Sequence, residues 1–179
     1  MAQKTEAPKK NVEPLRVDPS FKYEVMKEHD GETLKICFQC GSCTSSCPTA
    51  RFSDSYRPRT ILRLAQLGFR QKVLQSPTLW LCTACFTCTD RCPQDVEVAS
   101  VLRVLRNLAI KKGQIPRIFT ELASNIYETG YVYKIPEMRL RKRAELGLPP
   151  LPKSSVDKVD RLIELAHGSK LIKSKEEAQ

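Results

Sequence analysis

At 179 residues and 41% hydrophobic content, the chain has room for one domain with tails around a modest core. Its formal charge is +10, but the basic residues are spread along the chain instead of gathered on one helix face, which argues against a nucleic-acid-binding module. No stretch approaches the ~20 apolar residues that span a bilayer, and the polar start MAQKTEAPKKNVEP lacks the apolar run of a secretory signal, so the expectation is a cytoplasmic protein without a membrane span.

Residues 1–30 hold few apolar positions and read as an N-terminal arm, mobile around Ala7-Pro8-Lys9-Lys10. Within it, Val17 to Val25 suits a strand or a single turn anchored by Phe21 and Tyr23. The central domain is expected over 31–130. It opens on a run of cysteines, Cys37-x-x-Cys40-x-x-Cys43-x-x-x-Cys47-Pro48. Pro58 then starts a helical pattern with Ile61, Leu64 and Ala65 on one face, stopped by Gly68. A weak apolar turn at Val73-Leu74 leads to Ser76-Pro77, an N-cap followed by a first helical position. Leu79, Trp80 and Leu81 run into the second cysteine run, Cys82-x-x-Cys85-x-x-Cys88-x-x-x-Cys92-Pro93. Val98, Val101, Leu102, Leu105 and Ala109 then mark one face of an amphipathic helix closed by Lys111, Lys112 and Gly113. The two runs start 45 residues apart, as do Gly68 and Gly113, which is the sign of an internal duplication, although the helix interiors superpose poorly at that spacing.

Pro116 begins another helix, with Ile118, Phe119, Leu122, Ala123 and Ile126 on one side and Gly130 as its break. A C-terminal extension is expected over 131–179. It has a brief basic helix from Met138 to Leu146, whose Arg139, Arg141, Lys142 and Arg143 form a solvated face or dock an acidic partner. The stretch Gly147-Leu148-Pro149-Pro150-Leu151-Pro152 cannot be helical. A last helix, capped by Ser154 or Ser155, carries Val156, Val159, Ile163 and Ala166 on one face and ends near His167 and Gly168, read as a cap. Residues 170–179 read as a frayed end. Strand signals are nearly absent, so the expected fold class is mainly α: a helical ferredoxin-like domain around a duplicated centre.

The two runs use all 8 cysteines. Three thiolates at two-residue gaps, then a distal cysteine followed by proline, is the bacterial ferredoxin spacing for [4Fe–4S] clusters, in which the distal cysteine serves the other cluster. That rule assigns Cys37, Cys40, Cys43 and Cys92 to one cluster and Cys82, Cys85, Cys88 and Cys47 to the second. Zinc sites pair separated C-x-x-C units or use histidines, so zinc fits poorly; a reducing cytoplasm also disfavours disulfides. Eight thiolates and two oxidised cluster cores would bring the formal charge to about +6. Trp80, Phe38 and Phe86 adjoin ligands and are expected to keep water off the clusters. Gly41, between two ligands of the first run, is expected to relieve crowding at the cluster, where the second run has Phe86.

The segments CFQCGSCTSSCP (37–48) and WLCTACFTCTDRCP (80–93), followed by VLRVLRNLA (101–109), resemble the C subunit of heterodisulfide reductase from methanogenic archaea. The resemblance implies a non-catalytic electron-transfer subunit of an oxidoreductase complex. Its two [4Fe–4S] clusters would pass electrons from the A subunit, which holds flavin and iron–sulfur centres, to the catalytic B subunit. The latter would reduce the coenzyme M–coenzyme B heterodisulfide of methanogenesis. Electron bifurcation would take place at the flavin, with a hydrogenase or formate dehydrogenase in the larger complex. The eight cysteines carry over as cluster ligands. The chain lacks both the Cys-Cys-Gly signature of the family's catalytic subunit and a glycine-rich dinucleotide fingerprint. The alternatives are an iron–sulfur subunit of another dehydrogenase or of a sulfur-oxidising heterodisulfide reductase-like complex. A third is a basic module that a metal centre staples to nucleic acid.

Overall fold

A computed structural model describes residues 16–152 and 155–165. The readings made at Ala7–Lys10, Ser154, Ala166, His167, Gly168 and 170–179 lie outside these residues. Among the described residues every regular element is helical and there is no strand. The chain divides into two compact units, residues 1–112 and 113–179.

The first unit is built from short helices and one long one. Helix α1 covers Phe21–Lys27, and a 3-10 turn follows over Glu32–Ile36. Then come α2 (Ser42–Ser45), α3 (Pro48–Phe52), α4 (Pro58–Gln66) and α5 (Arg70–Leu74). A second 3-10 turn, Pro77–Leu81, precedes α6 (Thr87–Asp90) and α7 (Val98–Lys111). The segment that suited a strand or single turn is therefore a helix: Phe21 and Val25, one helical turn apart, are both fully buried, and that burial stabilises a helix too short to stand alone in water. Tyr23 points outward instead of anchoring it. Helix α7 is the core element. Val98, Val101, Leu102, Leu105 and Ala109 are all buried, and each large apolar side chain hidden this way contributes about 1.5–3 kcal/mol relative to exposure. Ser76 caps the second 3-10 turn, its Oγ accepting from the Thr78 N–H, with Pro77 at the first position.

The duplication is visible in three dimensions, with one offset. The cysteine loops repeat at 45 residues, but α4 and α7 begin at Pro58 and Val98, 40 apart. At 40 residues the buried positions of the two helices coincide: Pro58 with Val98, Ile61 with Val101, Leu62 with Leu102, Ala65 with Leu105. The junction repeats too. The Arg59 N–H donates to Thr44 Oγ1 at 3.0 Å, and the Ala99 N–H donates to Thr89 Oγ1 at 3.2 Å. Five extra residues between loop and helix in the first copy, accommodated by α3 and the turn after it, account for the poor superposition at 45. Helix α7 regains the difference at its other end, being 14 residues long against 9 for α4.

The second unit holds α8 (Arg117–Thr129), α9 (Glu137–Glu145) and α10 (Val156–Leu165). Helices α8 and α10 pack on each other. Phe119, Leu122, Ala123 and Ile126 are half-buried, whereas Ile118 is exposed. The basic helix α9 buries no residue. No helix of the described residues is long and apolar enough to cross a membrane.

Candidate metal centre

Both cysteine runs fold by the same steps. A 3-10 turn delivers the first cysteine, Cys37 or Cys82. The residue before the second cysteine and the residue after it are left-handed: Gln39 (φ 68°) and Gly41 (φ 94°) in the first run, Ala84 (φ 52°) and Phe86 (φ 61°) in the second. This alternation turns successive amides toward one concavity, the arrangement found at anionic sites including iron–sulfur centres. A one-turn helix, α2 or α6, then carries the third cysteine, Cys43 or Cys88, into the core. Non-glycine residues accept the left-handed region at a cost of about 1–2 kcal/mol each, so Gln39, Ala84 and Phe86 are held there by the loop as a whole. Against the protein atoms a Cβ on Gly41 would make ordinary contacts, with Arg59 Cδ at 3.7 Å and Nη1 at 3.9 Å, and the left-handed backbone at φ 94° favours glycine there.

The two runs interleave. Cys37, Cys40 and Cys43 line one cavity together with Cys92, with Gly41, Arg59, Val96 and Val98 in its wall. Cys82, Cys85 and Cys88 line a second with Cys47, walled by Tyr56, Pro58, Phe86 and Ala99. All eight thiols are free. Each site has one exposed cysteine, Cys40 or Cys85; site one has one buried cysteine, Cys43, and site two has two, Cys88 and Cys47. Their acidities differ accordingly. Ser42, whose Oγ lies 3.4 Å from Cys40 Sγ, lowers the pKa of Cys40, and Thr87 lowers that of Cys85 in the same way. Burial raises Cys43, and burial followed by the neighbouring Cys82 pushes Cys88 up to about 11. Backbone amides already face sulfur, Ala84 N at 3.4 Å from Cys82 Sγ and Val96 N at 3.3 Å from Cys92 Sγ.

This donor set fits a cubane cluster. Each cavity offers four thiols and no histidine or carboxylate among its lining residues. No group of three or more His, Cys, Asp or Glu among the described residues is arranged to hold a single metal ion. The thiols instead ring a shared space.

Four residues at these sites were not evident in the sequence. Gln66, on α4, donates from Nε2 to the carbonyls of Leu34 (3.0 Å) and Cys37 (2.9 Å). The equivalent carbonyls of the second copy, Leu79 and Cys82, accept from Arg106 on α7, from Nε at 3.0 Å and Nη2 at 2.6 Å. Gln66 and Arg106 are 40 residues apart, so the helix register would have paired them. Arg106 also stacks over Trp80, 5.7 Å from its ring centre. Gln39 Nε2 lies 3.4 Å from Cys37 Sγ. Tyr56 is fully buried at the second cavity; burial, then a hydrogen bond with Cys82, holds its hydroxyl protonated well above the ordinary tyrosine range. Of the three aromatic residues beside ligands, Trp80 is half-buried, while Phe38 and Phe86 line the two cavities and remain 60% and 43% exposed.

Residues 33–96 match the family described as 4Fe-4S dicluster domain. The chain is 35% identical over 162 residues to the C subunit of the H2:CoB-CoM heterodisulfide,ferredoxin reductase of Methanothermobacter marburgensis, covering 87% of this chain and 86% of that one. It is 35% identical over 154 residues to the iron-sulfur C subunit of the CoB–CoM heterodisulfide reductase of Methanopyrus kandleri, covering 83% and 80%. It is 36% identical over 146 residues to the C2 subunit of the H2/formate:CoB-CoM heterodisulfide,ferredoxin reductase of Methanococcus maripaludis, covering 80% and 78%.

Proposed function

Since the chain belongs to the family of heterodisulfide reductase C subunits, we propose that it is the non-catalytic electron-relay component of such a complex. In this reading it holds two [4Fe–4S] clusters, site one through Cys37, Cys40, Cys43 and Cys92, site two through Cys82, Cys85, Cys88 and Cys47. It takes electrons from the flavin-containing, bifurcating A subunit, itself supplied by a hydrogenase or formate dehydrogenase. It passes them to the catalytic B subunit, where the coenzyme M–coenzyme B disulfide takes up two electrons and two protons to give two thiols. Each cluster, when bound, supplies a reversible one-electron couple. The chain's own part is placement. Cys43 at site one, and Cys88 with Cys47 at site two, hold sulfur in the core, Cys40 and Cys85 bring one to the surface where an electron can enter or leave, and Val96, Val98, Tyr56 and Pro58 keep water from the inner walls.

The observation that carries this reading is the interleaving of Cys92 with the first run and Cys47 with the second. Anaerobic purification should give about eight irons and about eight sulfides per chain. About four irons, or zinc, would refute the two-cluster assignment. The flavin-containing and catalytic subunits mixed without this chain should reduce the heterodisulfide at background rate; full activity of that mixture would refute the relay.

A further inference from the structure

The repeat makes the two sites near copies, and one of their differences falls on the sulfur of each first cysteine. At site one, Gln39 Nε2 lies 3.4 Å from Cys37 Sγ and 3.1 Å from Gln66 Oε1. Its counterpart at site two is Ala84, which has no polar side chain. The direction of the Gln39 amide is fixed by its neighbours. Gln66 spends both N–H groups on the Leu34 and Cys37 carbonyls, which only accept, so its oxygen must face Gln39. That oxygen also only accepts, so Gln39 must turn its nitrogen toward it, and its second N–H is left for the Cys37 sulfur. Site two cannot repeat this relay. Arg106 grips the matching carbonyls but is a donor throughout and has no oxygen to orient a neighbour. At site two the Cys82 sulfur is instead hydrogen-bonded to Tyr56, which lies 40 residues before Val96 of site one, and Thr49 and Thr83 also line that cavity.

We propose that Gln39 is a redox-tuning residue of site one alone, oriented by Gln66 as a positioning residue. A hydrogen bond donated to a ligating sulfur favours the more negative, reduced state, and so raises the potential of the site that receives it. An electron exchanged inside the chain oxidises one site and reduces the other by one electron, with no bond or proton changed. The Gln39 amide therefore biases where a single electron resides. The inference rests on Cys37, Cys40, Cys43 and Cys92 forming one site.

The test is an EPR-monitored potentiometric titration of the cluster-loaded chain, with iron counted on the same samples. The variant Q39A copies the second run into the first, and Ala84 already shows that alanine tolerates this backbone conformation at φ 52°. Q66L leaves Gln39 in place but frees its amide to rotate. Both variants should lower the potential of one cluster and leave the other unchanged, moving the one-electron distribution between them by about tenfold toward site two, or 59 mV. Y56F should move only the other signal. Full iron content with no shift in Q39A and Q66L would overturn the proposal, as would an equal shift of both clusters. Loss of half the iron in wild-type protein would instead refute the two-site reading beneath it. If Q66L fails to fold, Q39A alone decides.

Discussion

The interleaving of the runs can be tested by counting iron alone. Cys92 lies 45 residues after Cys47 in the repeat, yet it lines the cavity of Cys37, Cys40 and Cys43. Each cavity has four of the eight cysteines, so C92A should remove one ligand in four from site one and leave the ligand set of site two intact. Iron should fall from about eight to about four per chain. The double variants carry the decision, because two substitutions in one site cannot empty it twice. C92A with C40A should retain the same four irons or so as C92A, whereas C92A with C85A should retain almost none. Cys40 and Cys85 suit this test because both are exposed, so their removal disturbs little packing. The measurement is iron and acid-labile sulfide on anaerobically reconstituted protein, with visible absorption as a second readout. The reverse pattern, four irons surviving in C92A/C85A and none in C92A/C40A, would place Cys92 with its own run and refute the crossing.

Gly68 and Gly113 occupy matching places in the repeat but should respond differently to alanine. Both have positive φ, 83° and 71°, so each substitution carries a backbone cost of about 1 kcal/mol. A Cβ on Gly68 would also lie 2.3 Å from the Asp18 carbonyl oxygen, while one on Gly113 would meet nothing within 4 Å. G68A should therefore lose about 1–3 kcal/mol beyond G113A, seen as an earlier unfolding midpoint and faster cluster loss; equal effects would refute the account. The Glu24 carboxyl is held below its ordinary value of 4.5, first by its hydrogen bond from Arg70. A depressed folded pKa gives stability that is full above the ordinary value and is lost as pH falls through the folded one. The advantage of the wild type over E24Q should thus be present at neutral pH and shrink on acidification below about 4.5, measured by circular dichroism; a constant difference would count against the pair.

The sequence reading reached the parts of the protein whose signals are local. Helix α7 follows from five apolar residues at helical spacing, all of them buried, and the Ser76-Pro77 start follows from capping chemistry. The cysteine spacing and the distal-cysteine rule gave an expected ligand set for each site, and the two cavities are lined by the same two groups of four cysteines; the iron counts above test whether those groups are ligands. What escaped depends on distant contacts. Helix α1 is seven residues long and forms because Phe21 and Val25 find a core. The left-handed conformations at Gln39, Ala84 and Phe86 have no compositional sign, since none of these residues favours them. Gln66 and Arg106 were hidden by the change of register from 45 to 40, which only the packed helices reveal. Phe38 and Phe86 look like core residues by type, yet their places on the outward turns leave them part-exposed at the cavities they line.

One copy of the loop and helix carries three thiols for one cavity and a fourth for another, so a single copy cannot surround anything. Two identical copies side by side could, each lending its last cysteine to its neighbour, as in a swapped dimer. Joining them in one polypeptide makes that exchange intramolecular, where the effective concentration of the lent cysteine no longer depends on how much protein is present. It also releases the copies from identity. A change in a self-paired chain is made at both sites at once, whereas here one copy carries five extra residues and a glutamine where the other carries an arginine. The covalent link is what allows two centres of common plan to be altered one at a time.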